Sequence, residues 1–147
     1  MSKADVAAEM MSSRHLNCAQ SVLTAFCEEL GLDKALATRI AGGFGAGMAR
    51  TDNVCGAVTG AYMVLGLQPH PDIADPRQRL DKVYTDIQAF REKFLALHGS
   101  IRCTDLLGKN LSTPDGLAAA RSQNLFAVIC PKLVGNAVTI LEDFIKT

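Results

Sequence analysis

The stretch TDNVCGAVTGAYMVLGL, residues 51–67, has the composition of a buried helix but is interrupted by Gly56 and Gly60. Each glycine inside a helix costs about 1 kcal/mol relative to alanine. The two lie one turn apart on the same face and, with Ala57 and Ala61, form a smooth strip beside Cys55. Such a strip lets another helix, a second thiol or an inorganic cofactor approach closely. Plain helix packing through small residues explains it equally well.

The composition predicts one globular domain and excludes several partner classes. The 147 residues are 48% hydrophobic and carry a formal net charge of +0, so we expect a single domain over residues 1–147. A neutral chain without a charged tail argues against nucleic acid and anionic membrane surfaces as partners. With 5% aromatic residues and no Trp, base-stacking platforms are also not expected.

No segment is predicted to enter a membrane or a secretion pathway. The apolar runs are short and interrupted, and the N-terminal residues MSKADVAAEMM lack a continuous apolar core. The expected location is therefore the cytoplasm. Structural disulfides are disfavoured there, so five cysteines need another explanation.

Helical periodicity runs through the whole chain, and no alternating β-branched run predicts a strand. We therefore predict an all-α, single-domain bundle of about six to eight helices. Caps are expected at Asn17, Asp33 and Thr113, and a long helix is expected between Asp75 and Gly99. The glycine-rich segment GGFGAG, residues 42–47, predicts a turn that uses the φ freedom of glycine.

Apolar positions predict which helix faces are buried. The long helix has more apolar surface than the predicted core needs, which suggests a homo-oligomer. The predicted faces are Val6, Met10 and Met11 on the first helix; Leu36, Ala37 and Ile40 on the third; and Leu80, Val83, Ile87, Phe90, Phe94 and Leu97 on the long helix.

Four of the five cysteines fall at predicted helix starts. Free amides and the positive dipole end of a helix stabilise a thiolate there, which makes the thiol more reactive and a better metal ligand. The fifth, Cys27, is predicted in the middle of a helix and is interpreted as core. The four are Cys18 behind the Asn17 cap, Cys55 in the first turn after Asp52 or Asn53, Cys103 before Thr104, and Cys130 at the N-cap before Pro131.

The cysteine blocks closely resemble the C_GCAxxG_C_C family of redox-active proteins, nearly from end to end. NCAQSVLTAF resembles the first cysteine block, CGAVTG the Cys-Gly-Ala-x-x-Gly signature, CTDLLG the third block and CPKLVGNAVTILEDF the fourth. The resemblance assigns Cys18, Cys55, Cys103 and Cys130 to the family pattern and leaves Cys27 outside it. It implies redox activity.

A more distant resemblance connects the chain to a domain of split-Soret cytochromes, which carry haem and an iron–sulfur centre. This chain has no Cys-x-x-Cys-His, so covalent haem attachment is excluded, but an iron–sulfur centre is not. The four thiols are candidate ligands of a [2Fe–2S] cluster, or of another metal such as zinc. Gly56, Ala57 and Gly60 are the candidate cofactor-binding residues beside them.

Two chemistries therefore stay open for the same four cysteines: reversible dithiol–disulfide exchange, or iron–sulfur electron transfer. Either would serve a redox partner protein that the sequence does not identify, as an oxidoreductase or as an electron carrier. The alternative is a non-catalytic helical interaction or structural module. Arg50 and His15 lie near the cysteines in sequence, and a solvated surface position is the simpler interpretation of Arg50.

Overall fold

The computed structural model describes residues 1–13 and 15–145, and this part of the chain is all-α. It contains no strand, only an isolated antiparallel bridge between Val54 and Arg102. The all-α prediction is confirmed, with more helices than predicted. The helices are α1 Lys3–Ser12, α2 Cys18–Phe26, α3 Lys34–Ala41, α4 Ala46–Arg50, α5 Gly56–Leu67, α6 Pro76–His98, α7 Cys103–Leu107, α8 Pro114–Ser122, α9 Leu125–Val128 and α10 Cys130–Glu142, with a 3-10 turn at Gly42–Phe44.

The predicted caps are confirmed where a polar side chain precedes the helix. Asn17 accepts from the Gln20 amide, and the Gln20 side chain accepts from the Asn17 amide, which completes a capping box. Asp33 and Thr113 cap α3 and α8 in the same way, each accepting from the amide three residues ahead. The long helix α6 begins after Asp75, as predicted.

Three predicted boundaries near the cysteines are wrong. The opening helix is not capped by Asp52 or Asn53 but begins at Gly56, because the Asp52 carboxylate is held by Thr104 and by Arg102. Cys130 is the first residue of α10 rather than its N-cap. Cys27 is the C-cap of α2 rather than a mid-helix residue, although it is fully buried.

The core lies where α2, α5 and α10 meet. Gly60 has no side chain at the crossing of α2 and α5, and a Cβ there would lie 2.8 Å from the Ala19 carbonyl oxygen and 3.1 Å from Val22 Cβ. The two helices therefore approach to backbone contact. This close crossing positions the start of α2 against the start of α5, the two places that carry Cys18 and Cys55.

Several residues of the predicted apolar faces are exposed. Small residues dominate the packing of α3, which buries Ala37 and Ala41 and leaves Leu36 and Ile40 outside. On α6 only the second half is covered, so Phe90 and Phe94 are buried whereas Leu80 is 49% exposed. Val6 and Leu97 are likewise exposed. The homo-oligomer stays a prediction.

The segment Leu125–Glu142 is long and apolar enough, by length and composition alone, to cross a membrane. In this fold it is divided between α9 and α10. The larger part, α10, buries one side against α1, α2, α5 and α6, with Val134, Ala137 and Leu141 fully buried. Its hydrophobicity therefore serves the core of the domain.

The helix α4 is left-handed. Gly47, Met48 and Ala49 have φ values of 67°, 62° and 62°, and the Ala49 amide donates to the Gly45 carbonyl at 2.8 Å, which is the spacing of one helical turn. A left-handed turn costs L-residues about 1–2 kcal/mol each. The turn predicted for residues 42–47 is only partly right, because Gly47 alone among its four glycines has a positive φ, and the non-glycine Ala46 has one as well. Strain of this kind persists only where the surroundings impose it.

We predict opposite stability effects for two Gly→Ala substitutions in α5. Gly60→Ala adds a methyl group against the α2 backbone and should destabilise the protein by about 1–3 kcal/mol, as overpacking does. Gly66→Ala is the matched control, because nothing lies within 4 Å of its Cβ position. It should leave stability unchanged or raise it by up to about 1 kcal/mol. Denaturant unfolding measures both; equal effects would contradict the close crossing of α2 and α5.

Candidate thiol site

The Cys18 thiol lies at the start of α2, against the start of α5. A Cβ on Gly56 would clash directly with Cys18 Sγ and would lie 2.9 Å from the Ala19 nitrogen and from the Gly45 Cα. Glycine at position 56 therefore leaves the space that the sulfur occupies. This is the structural reason for the Cys-Gly pair that begins the CGAVTG signature.

Cys55 and Cys103 are placed by the only strand-like pairing in the described residues. The Cys55 amide donates to the Ile101 carbonyl at 2.7 Å, and the Cys103 amide donates to the Asn53 carbonyl at 3.0 Å. Side chains alternate along paired backbones, so the two cysteines lie on the same side of this bridge. Both are buried, with 5% and 7% of their surface exposed.

Cys18 and Cys55 are neighbouring buried thiols, and each shifts the pKa of the other. The hydrogen bond from Cys55 is the largest cause that lowers the pKa of Cys18 to about 6, against the opposing effect of burial. The backbone amides of Ala46, Ala19 and Cys18 itself lower that pKa further. The same hydrogen bond raises the pKa of Cys55 well above its usual value, and burial adds to this. The first proton therefore leaves Cys18.

Cys103 is the third thiol of the site and keeps its proton. Burial, the charge on Cys18 and the Asp52 carboxylate raise the pKa of Cys103 to about 12. Asp52 accepts a hydrogen bond from the Thr104 hydroxyl at 2.6 Å and pairs with Arg102 at 2.9 Å. Cys103 is thus held neutral beside a pair that carries one negative charge.

The left-handed helix α4 encloses this site. Its first residue, Ala46, contributes a backbone amide to the Cys18 sulfur. Gly47 packs on Cys103, because a Cβ there would lie 2.9 Å from the Cys103 Cβ. The strain of α4 is therefore located where backbone must contact two of the thiols at once.

The remaining predicted site residues lie at different distances from the pair. The Ala57 amide lowers the pKa of Cys55, so Ala57 contacts the site through its backbone. Gly60 lies one turn further on, against Ala19 and Val22 of α2. Cys130 is buried at the start of α10, which packs against α2 and α5.

Cys27 lies apart from this site. Its thiol donates to the Thr24 carbonyl at 3.7 Å, and burial raises the pKa of Cys27.

In the described residues, no three His, Cys, Asp or Glu side chains form a group that could hold a metal ion. The thiol pair with Cys103 beside it is therefore the arrangement that the geometry presents.

Cys18 borders a cavity at the protein surface. It lines a cavity of about 270 Å³ whose other walls include His15, Arg50 and Arg121. The sequence alone does not predict that Arg121 lies near Cys18, because the two residues are far apart along the chain. No local signal marks it.

We predict that alkylation of Cys18 in the reduced protein rises with pH to half its maximum near pH 6, because the thiolate is the nucleophile. Cys55→Ala removes the donor and should move that midpoint up by about one to two pH units, from the value of a hydrogen bond to a charged group. Cys55→Ser is the matched control, because a hydroxyl can still donate. Peptide mass spectrometry measures the Cys18 rate. If alkylation of Cys18 in the wild-type protein had its midpoint at the pKa of an ordinary free thiol, the thiol pair would be contradicted.

Comparisons with known proteins agree with this four-cysteine pattern. A family model described as "Putative redox-active protein (C_GCAxxG_C_C)" matches residues 16–144, which include Cys18, Cys55, Cys103 and Cys130. Searches of curated proteins and of solved structures gave no match. Since the family model covers most of the chain, this protein belongs to the C_GCAxxG_C_C family of redox-active proteins.

Proposed function

We propose that this protein is a dithiol–disulfide redox protein in which Cys18 and Cys55 are the exchanging pair. The observation that carries the proposal is the packing of Cys18 Sγ directly on Gly56, the residue that follows Cys55, with both thiols buried. The pKa values of the two thiols are shifted in opposite directions by their mutual contact, which places them next to each other. Family membership supports redox activity in general, and this pair gives it a mechanism.

The roles of the two cysteines follow from their protons. Cys18 carries the thiolate and lines the cavity, so it is the attacking sulfur. Cys55 keeps its proton and is buried behind Cys18, so it acts second, by attacking the mixed disulfide at Cys18 Sγ. Formation of the Cys18–Cys55 disulfide passes two electrons, and the one proton that Cys55 holds, to the redox partner. The reverse reaction takes them back.

The surrounding backbone favours the reduced form of the pair. Amides of Ala46 and Ala19 stabilise the Cys18 thiolate, and they lose that charged acceptor when the disulfide forms. Stabilisation of the reduced form makes a dithiol pair more oxidising. In the cytoplasm, which the sequence predicts, the resting form would then be the dithiol.

A [2Fe–2S] cluster is the rival chemistry for these cysteines. Such a cluster takes four cysteine ligands. The described residues do not fit it, because no three of their His, Cys, Asp and Glu side chains form a group that could hold a metal ion. The amides of Ala46 and Ala19 instead lower the pKa of the Cys18 thiol, which favours a free thiolate.

We predict that mild oxidation of the anaerobically reduced protein removes two thiols per chain and joins Cys18 to Cys55, because these sulfurs are already in contact. Tryptic peptide mapping under acidic quench identifies the bond. Cys18→Ser and Cys55→Ser should each abolish it. Cys27→Ser is the matched control, because Cys27 is equally buried but lies outside the site, and it should oxidise like the wild type.

Two results would contradict the proposal. The first is that Cys18 and Cys55 both stay reduced while other cysteines oxidise. The other is a protein that binds its partners unchanged after all four family cysteines are replaced by Ser, which would favour a structural or interaction module. Circular dichroism of each variant confirms that the fold is retained.

A further inference from the structure

The cavity beside Cys18 is built from four separate parts of the chain. It has a volume of about 270 Å³ and lies among α1, the start of α2, the left-handed α4 and the α8–α9 region. Cys18 is the only cysteine among the described residues that line it. A molecule in this cavity would therefore meet the attacking sulfur first, with Cys55 behind it.

The charge in this cavity is positive. Arg50 and Arg121 both line it, and among the lining residues that the structure describes none is acidic. Neither guanidinium has a hydrogen bond or ion pair to another side chain in residues 1–13 and 15–145. Each retains five N–H donors in the planar arrangement that suits a carboxylate.

The other polar groups of the cavity are already occupied. The Asn17 amide donates to the Gly42 carbonyl at 3.0 Å, and the Gln20 amide donates to the Thr38 carbonyl at 2.9 Å. His15 shares a hydrogen bond with Ser13 at 2.8 Å. Among the described lining residues the two arginines are therefore the cationic groups that are free to recognise a ligand, while Met11 and Phe126 supply apolar wall.

The strain of α4 has a second consequence at this cavity. Arg50 is its last residue and has a φ of 62°, a conformation that non-glycine residues adopt rarely. The same left-handed turn brings the Ala46 amide to Cys18 and places Arg50 on the cavity wall. One element therefore stabilises the thiolate and presents a cation beside it.

We propose that this cavity binds small disulfides that carry carboxylate groups, with Arg50 and Arg121 as the residues that select them. This inference rests on the proposed dithiol–disulfide function and names its substrate class. A thiolate alone would repel an anionic disulfide, so the two arginines reverse the preference that Cys18 would otherwise show.

The exchange reaction balances without any further reactant. The Cys18 thiolate attacks one sulfur of the substrate RS–SR, the substrate S–S bond breaks as the Cys18–SR bond forms, and RS⁻ leaves. The leaving thiolate takes up the proton that Cys55 gives up. The Cys55 sulfur then attacks Cys18 Sγ and releases the second RS⁻, which is protonated by solvent. The two cysteines lose two electrons, and the substrate gains them as two thiols.

Three disulfides of similar size but different charge test the proposal. They are 3,3′-dithiodipropionate, which is anionic, 2-hydroxyethyl disulfide, which is neutral, and cystamine, which is cationic. The measured quantity is the rate at which each forms the Cys18–Cys55 disulfide in reduced full-length protein, divided by its rate with a small-molecule thiol. We expect the anionic substrate to be fastest and the cationic one slowest.

Arginine variants locate the origin of that preference. Arg50→Gln and Arg121→Gln should each reduce the anionic-to-neutral rate ratio by up to about fivefold, since screened ion pairs are worth up to about 1 kcal/mol. Arg50→Lys should retain most of it, because the charge stays. Arg77→Gln is the matched control, on α6 and outside the cavity, and should leave the ratio unchanged.

The outcomes separate this inference from the proposed function. Equal normalised rates for the anionic and neutral disulfides, unchanged by Arg50→Gln and Arg121→Gln, would overturn the substrate class and leave the thiol pair intact. Failure of all three disulfides to form the Cys18–Cys55 bond would overturn the proposed function and, with it, this inference.

Discussion

The contact on which the structure depends is that of Cys18 Sγ with the bare backbone of Gly56. It exists because α2 and α5 cross at backbone distance, which in turn needs Gly60 against Ala19 one turn further along. Any side chain at position 56 would take the space of the sulfur. The same contact brings Cys18 to Cys55, the residue before Gly56, so helix packing and thiol pairing are one arrangement.

The left-handed helix α4 is the complementary constraint. It places the Ala46 amide against Cys18 and the backbone of Gly47 against Cys103. Its cost, about 1–2 kcal/mol for each non-glycine residue, is opposed by the contacts around it. The end of the turn is held by the Asp52 carboxylate, which bonds Thr104 and Arg102 at the start of α7. Backbone strain and the reactive group thus occur together, as is common at functional sites.

Much of the fold follows from local signals in the sequence. Asn17 with Gln20, Asp33 and Thr113 specify helix starts through side-chain hydrogen bonds, which depend on neighbouring residues alone. The close approach at Gly56 was also predictable, since a glycine inside a helix needs a reason. The left-handed turn was not, because Met48 and Ala49 carry no local preference for positive φ; tertiary contacts impose it. The exposure of Leu36 and Leu80 was not predicted for a related reason. Apolar periodicity predicts which face of a helix is apolar, but not whether another element packs against that face.

The candidate site shows the same division. The four family cysteines can be recognised from their sequence blocks, but the unequal pKa values of Cys18 and Cys55 depend on the contact between these two thiols, which only the fold creates. The contribution of Arg121 to the cavity is likewise a property of the fold. Spacing in sequence shows neither of these, because the residues involved come from separate helices.

The most direct test of the thiol pair is the visible absorption spectrum of protein purified without oxygen, with iron and free thiols counted on the same sample. The dithiol account predicts a colourless, iron-free protein whose thiol count falls by two on mild oxidation and is restored by reductant. Charge-transfer bands with about two irons per chain would contradict it and would identify a [2Fe–2S] protein instead.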